Sequence, residues 1–88
     1  MSTIKNPMHP GEFLREAYMK PGGWNISSLS RQLNVSESAL SRLVSGKASV
    51  SIDMAIKLSD KLGHTAQSWL TMQMNYDLAQ KGVKDGRD

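Results

Sequence analysis

The stretch SESALSRLVSGK, Ser36 to Lys47, sets Ser36, Ser38, Ser41 and Ser45 around one arginine, Arg42, and one glutamate, Glu37. At helical spacing Glu37, Ser41 and Ser45 fall on one line, with Ser38 and Arg42 beside them. A merely solvated face would more often carry lysine and glutamate, which are better helix formers than serine. Short hydroxyls suit a helix whose backbone must approach a surface closely, and the major groove of duplex DNA is such a surface. There Arg42 can pair with a phosphate or a guanine, and Glu37 can accept a hydrogen bond from cytosine N4. A plainer reading of the same residues stands beside this one: serines as neutral filler, and Glu37 as an acid favoured at the positive end of a helix dipole.

Other chemistries find no support. The chain has no cysteine and two histidines, His9 and His64, whereas a zinc site needs about three or four protein ligands. His9 reads as part of a helix start and His64 as part of a loop, so no metal and no cofactor is expected. No histidine is placed by a carboxylate beside a nucleophile, and no glycine-rich phosphate loop is present. No catalytic residue is therefore assigned, and an enzyme is not expected.

The net charge of +3 is unevenly placed. Residues 1–47 hold six lysines and arginines against three glutamates, and residues 48–88 hold five against five aspartates. All the excess lies in the half with the serine-faced stretch, which favours an anionic partner there. The 88 residues suffice for one modest core. No apolar run approaches the ~18 residues that span a bilayer, and MSTIKNPM lacks the apolar centre of a secretory signal. The expected location is the cytoplasm, away from membranes.

The elements that must position these residues are marked by punctuation. HPGEFLREAYMKPGG starts a first helix with Pro10 at its first position and Glu12 in its first turn. Its predicted stripe is Phe13, Leu14, Ala17 and Tyr18, and Pro21, Gly22 and Gly23 are expected to stop it. Asn25 caps a second helix, Ile26 to Leu33, with Ile26, Leu29 and Leu33 inward. Asn34 tolerates the left-handed conformation of a sharp turn. Ser36 caps a third helix, Glu37 to Ser45, with Ala39, Leu40, Leu43 and Val44 inward and Gly46 at its end. Ser51 caps a fourth helix from Ile52 to Leu62, with Ile52, Ala55, Ile56, Leu58 and Leu62 as its apolar face. After Gly63, Thr65 caps a fifth from Ala66 to about Lys81. The fold class is all-α, a bundle of five short helices.

Two short helices joined by a three-residue turn, with a small residue (Ser30) in the first and an apolar one (Val35) in the turn, make a helix-turn-helix pattern. Its buried positions are Leu29, Ser30, Leu33, Val35, Leu40 and Leu43. The segment Asn25 to Leu62 resembles the Cro/C1-type (lambda repressor-like) domain of the Xre family. HPGEFLRE, SGKASVSIDMAIKLSDKLG and TAQSWLTMQMNYDLAQ extend the similarity to HigA-type, VapI-like antitoxins over residues 8–80. The resemblance implies an antitoxin of a type II toxin-antitoxin module that represses its own operon and pairs with a small HigB-like ribonuclease toxin. It implies DNA-facing positions at Asn25, Ile26 and Ser27, then Ser36, Glu37, Ser38, Ser41 and Arg42, with Ser45 and Lys47 towards the phosphates. Ile26 stands where many relatives carry glutamine, which removes an amide that could read adenine. Asn34 stands where many carry glycine, and Glu37 where the residue is often neutral or basic.

Few cations per chain make a dimer the natural DNA-binding unit, because neutralised phosphates dominate affinity. The last helix carries two apolar stripes: Trp69, Met72, Tyr76 and Ala79, and Leu70, Met74 and Leu78. A surface helix needs one. The second is either incidental surface or a homodimer seam, which assigns Trp69, Leu70, Met72, Met74, Tyr76 and Leu78 to the interface. The expected organisation is an N-terminal arm over 1–8, a DNA-binding domain over 9–70, and a dimerising extension and polar tail over 71–88. Two other functions fit the same residues: a stand-alone repressor without a toxin, and a toxin-binding module whose helix-turn-helix no longer holds DNA.

Overall fold

The computed structural model describes residues 7–82, which form five helices and, among the described residues, no strand. Most of the 1–8 arm and the polar tail from 83 onward lie outside the described residues. No helix among the described residues is long and apolar enough to cross a membrane.

Helix α1 runs in three continuous pieces: Pro10–Leu14, a π turn over Arg15–Met19, and a last turn Lys20–Gly22. It starts as expected, with Pro10 at its first position and His9 as its cap, Nδ1 accepting from the Gly11 N–H at 2.9 Å. Its expected stripe is only partly right. Leu14 and Met19, five residues apart, are the buried pair, and Ala17 is exposed. The π turn adds a residue to one turn, with the Lys20 N–H donating to the Arg15 carbonyl, and rotates all that follows. Its cause is in the sequence: in an α-helix Pro21 would crowd the carbonyl of Ala17, and a widened turn just before it relieves that contact. Pro21 and Gly22 therefore continue the helix, which ends at Gly23 with φ 71°.

The remaining helices begin at the expected caps. Asn25 heads α2 (Ile26–Leu33), Ser36 heads α3 (Glu37–Val44), Ser51 heads α4 (Ile52–Leu62) and Thr65 heads α5 (Ala66–Gln80). Each cap side chain accepts an N–H from the first turn, at 2.8–3.1 Å. Such a contact stabilises a helix by about 1 kcal/mol. At α2 the cap is reciprocal, because the Asn25 N–H donates to Ser28 Oγ at 3.1 Å.

The core joins Leu14 and Met19 of α1 to Leu29 and Leu33 of α2, Leu40 and Leu43 of α3, Val50 of the loop that follows, Ala55 and Leu58 of α4, and Trp69 of α5. Three inward assignments are overturned. Ala39 is exposed, which leaves Leu40 and Leu43 as the inner line of α3 with Val44 half-buried. Ile52 and Ile56 are 65% and 52% exposed. Helix α4 turns the line Ala55, Leu58, Leu62 inward, and the Ile52–Ile56 pair lies roughly a quarter turn away at 3.6 residues per turn.

In α5, Trp69 is fully buried. Its Nε1–H donates to the Gly63 carbonyl at 3.2 Å, and its ring meets the edges of Phe13 and His64. Trp69 thus belongs to the core and has no surface to offer a partner, which removes it from the expected dimer seam. His64 lies in the α4–α5 loop with φ 63°. The boundary expected between 70 and 71 falls inside α5, which continues to Gln80 and packs along α4.

Candidate nucleic-acid interface

The α2–α3 corner is built by local chemistry. Asn34 takes φ 58° and ψ 49°, the Val35 N–H donates to the Ser30 carbonyl at 3.0 Å, and Lys57 Nζ donates to the Asn34 carbonyl at 2.9 Å. Leu29, Ser30, Leu33, Leu40 and Leu43 are buried beneath the corner and Val35 is half-buried. The hydroxyl of Ser30 donates to the Ser27 carbonyl, so this small residue buries no unpaired polar atom.

With α3 seated on Leu40 and Leu43, its outer face presents Glu37, Ser38, Ser41, Arg42 and Ser45, all exposed, and Lys47 follows in the loop. Not all of the residues expected to face DNA on α2 and α3 have free side chains. Ser36 Oγ is occupied as the α3 cap, Asn25 Oδ1 as the α2 cap, Ser27 Oγ accepts from Arg31, and Ser45 Oγ donates to the Arg42 carbonyl. Ile26 is half-buried against the core. What α2 offers outward is its first backbone N–H groups, of Ile26 and Ser27, which precede the capped Ser28 N–H.

Both ion pairs found among the described residues use Glu16, with Arg15 at 3.2 Å and Lys20 at 3.0 Å. Hydrogen bonds from Lys20 and Arg15 hold the Glu16 carboxyl below the usual range. Arg31, Arg42 and Lys47 have no acidic partner among the described residues. Arg31 was not foreseen, although its place one turn after Ser27 puts it near the same surface.

Two supporting residues also escaped the sequence. Gly11 lies where α1 crosses the end of α3, and a Cβ there would stand 1.8 Å from the Leu43 carbonyl oxygen. A glycine at the second position of a helix, where alanine is the better former, was the signal. Gln73 of α5 is buried, with Oε1 accepting from the Val50 N–H at 2.8 Å. Lying between the two apolar stripes, it gave no periodic signal. His9 is buried beside Tyr76, with ring centroids 4.8 Å apart, and burial lowers its pKa against the opposing pull of Asp77. Among the described residues no group of acids and histidines could hold a metal ion.

Residues 15–67, from the π turn to the start of α5, match the helix-turn-helix family HTH_3. Virulence-associated protein I of Dichelobacter nodosus is 44% identical over 77 residues, which cover 84% of this chain and 71% of that protein. The Pseudomonas aeruginosa antitoxin HigA, solved with the higBA promoter, superposes with a TM-score of 0.82 at 34% identity, over 86% of this chain and 83% of that one. The chain belongs to the Xre-like helix-turn-helix family, and HigA antitoxins are among its relatives. The antitoxin GraA likewise superposes with a TM-score of 0.82 at 37% identity, over 85% of this chain and 81% of that one. These members of the helix-turn-helix family are regulators and antitoxins, not enzymes.

Proposed function

We propose that this chain is an antitoxin that binds operator DNA as a homodimer, represses its own operon, and neutralises a cognate HigB-like ribonuclease toxin in the cytoplasm. The observation that carries the DNA-binding part is the outer face of α3, where Ser38, Ser41 and Arg42 are exposed together and Arg42 has no acidic partner among the described residues. Seated in the major groove, Ser38 and Ser41 approach base edges, and Arg42 reaches a guanine or a phosphate. Glu37, at the helix start, accepts from a cytosine amine. The N–H groups of Ile26 and Ser27 and the side chain of Lys47 hold phosphates on either side.

The dimer forms along α5 through Leu70, Met72, Met74, Tyr76 and Leu78, of which Met74 is 53% exposed. A twofold pair then reads an inverted repeat whose half-sites lie about 34–36 Å apart. The toxin-binding part is supported by the antitoxin relatives named above.

Salt-dependent titration of the chain's own upstream DNA and of a scrambled duplex tests the reading. Arg42→Ala should weaken binding to the operator by about 1–3 kcal/mol if the contact is a bidentate one to guanine. If Arg42 holds phosphate, both duplexes should lose equally and the salt slope should fall by about 0.9 per protomer. No change on either duplex refutes α3 as the reader. Co-purification with the product of the neighbouring gene tests the toxin; failure to bind it leaves the solitary repressor.

A further inference from the structure

Among the described residues three polar side chains are buried: His9, Ser30 and Gln73. His9 caps its own helix and Ser30 bonds back within α2. Gln73 is different, because it leaves its helix and reaches 23 residues back in the sequence. Its Oε1 accepts from the Val50 N–H at 2.8 Å, and its Nε2 donates to Asp77 Oδ1 at 3.0 Å. The second bond fixes the first, since a carboxylate on one side of an amide decides which end faces the other way. Val50 is itself only 5% exposed, so its N–H has no ready access to water and would be left unpaired by a hydrocarbon at 73.

The bond lies at a mechanically significant place. Val50 ends the loop between α3 and α4, and the start of that loop is held by the Lys47 and Ala48 N–H groups, both on the Arg42 carbonyl, at 2.8 and 3.1 Å. One end is thus tied to the helix that bears the serine face, and the other to α5. We infer that Gln73 is a positioning residue for DNA binding: by holding Val50 it sets the path of the loop and so the place where Lys47 presents its charge. The inference rests on the proposed DNA-binding reading, and adds that α5 controls the geometry of a phosphate contact made by α3 and its loop. Asp77 acts one step further out, as the clamp on the amide.

The test measures the slope of log affinity against log salt for the duplex upstream of the chain's own gene. Wild type, Lys47→Ala, Gln73→Met and the double variant are compared, with thermal midpoints recorded separately. Lys47→Ala should lower the slope by about 0.9 per protomer, the value of one released phosphate contact. Gln73→Met should lower it by a similar amount, and the double variant should lose no more than either single one. A Gln73→Met protein with a lower midpoint but the wild-type slope overturns the inference, because the glutamine is then only structural. A wild-type slope in Lys47→Ala overturns it as well, since there is no contact to position. Should Gln73→Met fail to fold, Asp77→Ala decides: a reduced slope supports the inference and an unchanged one overturns it. Wild-type protein that binds neither this duplex nor a scrambled one brings down the DNA-binding reading itself.

Discussion

Replacing Gly11 by alanine sets two ordinary effects against each other. Helix propensity favours the change by about 1 kcal/mol, because glycine is the poorer helix former. Packing opposes it. The added Cβ would stand 1.8 Å from the Leu43 carbonyl oxygen, 2.6 Å from its carbon and 2.9 Å from Val44 Cα, where an ordinary contact begins near 3.4 Å. All three atoms are backbone, so no side chain can swing aside, and α1 and α3 must part by more than an ångström. Parting them strains the contacts of Leu14 and Leu43, both buried. Overpacking typically costs about 1–3 kcal/mol and sometimes more, and a backbone-on-backbone clash belongs at or above the upper end. The clash should win by about 2 kcal/mol. For a domain of this size that lowers the melting temperature by roughly 8–16 °C, at about 4–8 °C per kcal/mol. Thermal unfolding followed by circular dichroism reads it directly. A melting temperature equal to or above wild type would refute the close crossing of α1 and α3 as a constraint.

Other outcomes follow from the same contacts. His9 is held with a lowered pKa, first by burial, so the unfolded chain takes up its proton more readily than the folded one. Its contribution to stability is therefore complete above about pH 6.5 and is lost as the pH falls through the folded pKa. Urea midpoints at about pH 7.5 and about pH 5 should differ less in His9→Asn, which keeps a cap acceptor, than in wild type; an equal difference counts against the buried neutral ring. Asn34→Val should destabilise by about 1–2 kcal/mol in urea titrations, because a branched side chain resists the left-handed backbone, while Asn34→Gly should stay within about 1 kcal/mol of wild type. Met74→Asp, at an exposed site of α5, should yield monomers in sedimentation that keep the wild-type helical circular dichroism spectrum; a protein that stays dimeric moves the interface off α5.

The helix starts were legible because each is a local event. Asn25, Ser36, Ser51 and Thr65 bond to the first turn of the helix they begin, and nothing distant is needed to complete the contact. The turn at Asn34 and the buried set around Ser30 were legible for a similar reason: a short connection leaves few ways to seat one amphipathic helix on another. The exposed line of Glu37, Ser38, Ser41 and Arg42 followed from the same periodicity, whereas the family to which the chain belongs was legible as a resemblance of its motifs.

Tertiary structure decided what periodicity leaves free. Which edge of an apolar stripe meets the core depends on neighbours, so Ile52 and Ile56 stay exposed while the smaller Ala55 is fully buried in a helix that packs on α5 and α2. Ala39 and Ala17 gave the wrong sign because alanine is neutral enough to sit on either face, and the π turn ahead of Pro21 rotated the first helix by a residue. Gln73 lay beyond reach of pattern reasoning, since its partner is the backbone of Val50, and a backbone N–H leaves no mark in the sequence. Trp69 appeared free for a partner because its type suits interfaces, yet Phe13, Tyr18 and His64 converge on it from other parts of the chain. Local hydrogen bonds and spacing were fixed by neighbouring residues, whereas burial, close approach and long-range pairing came from segments that only folding brings together.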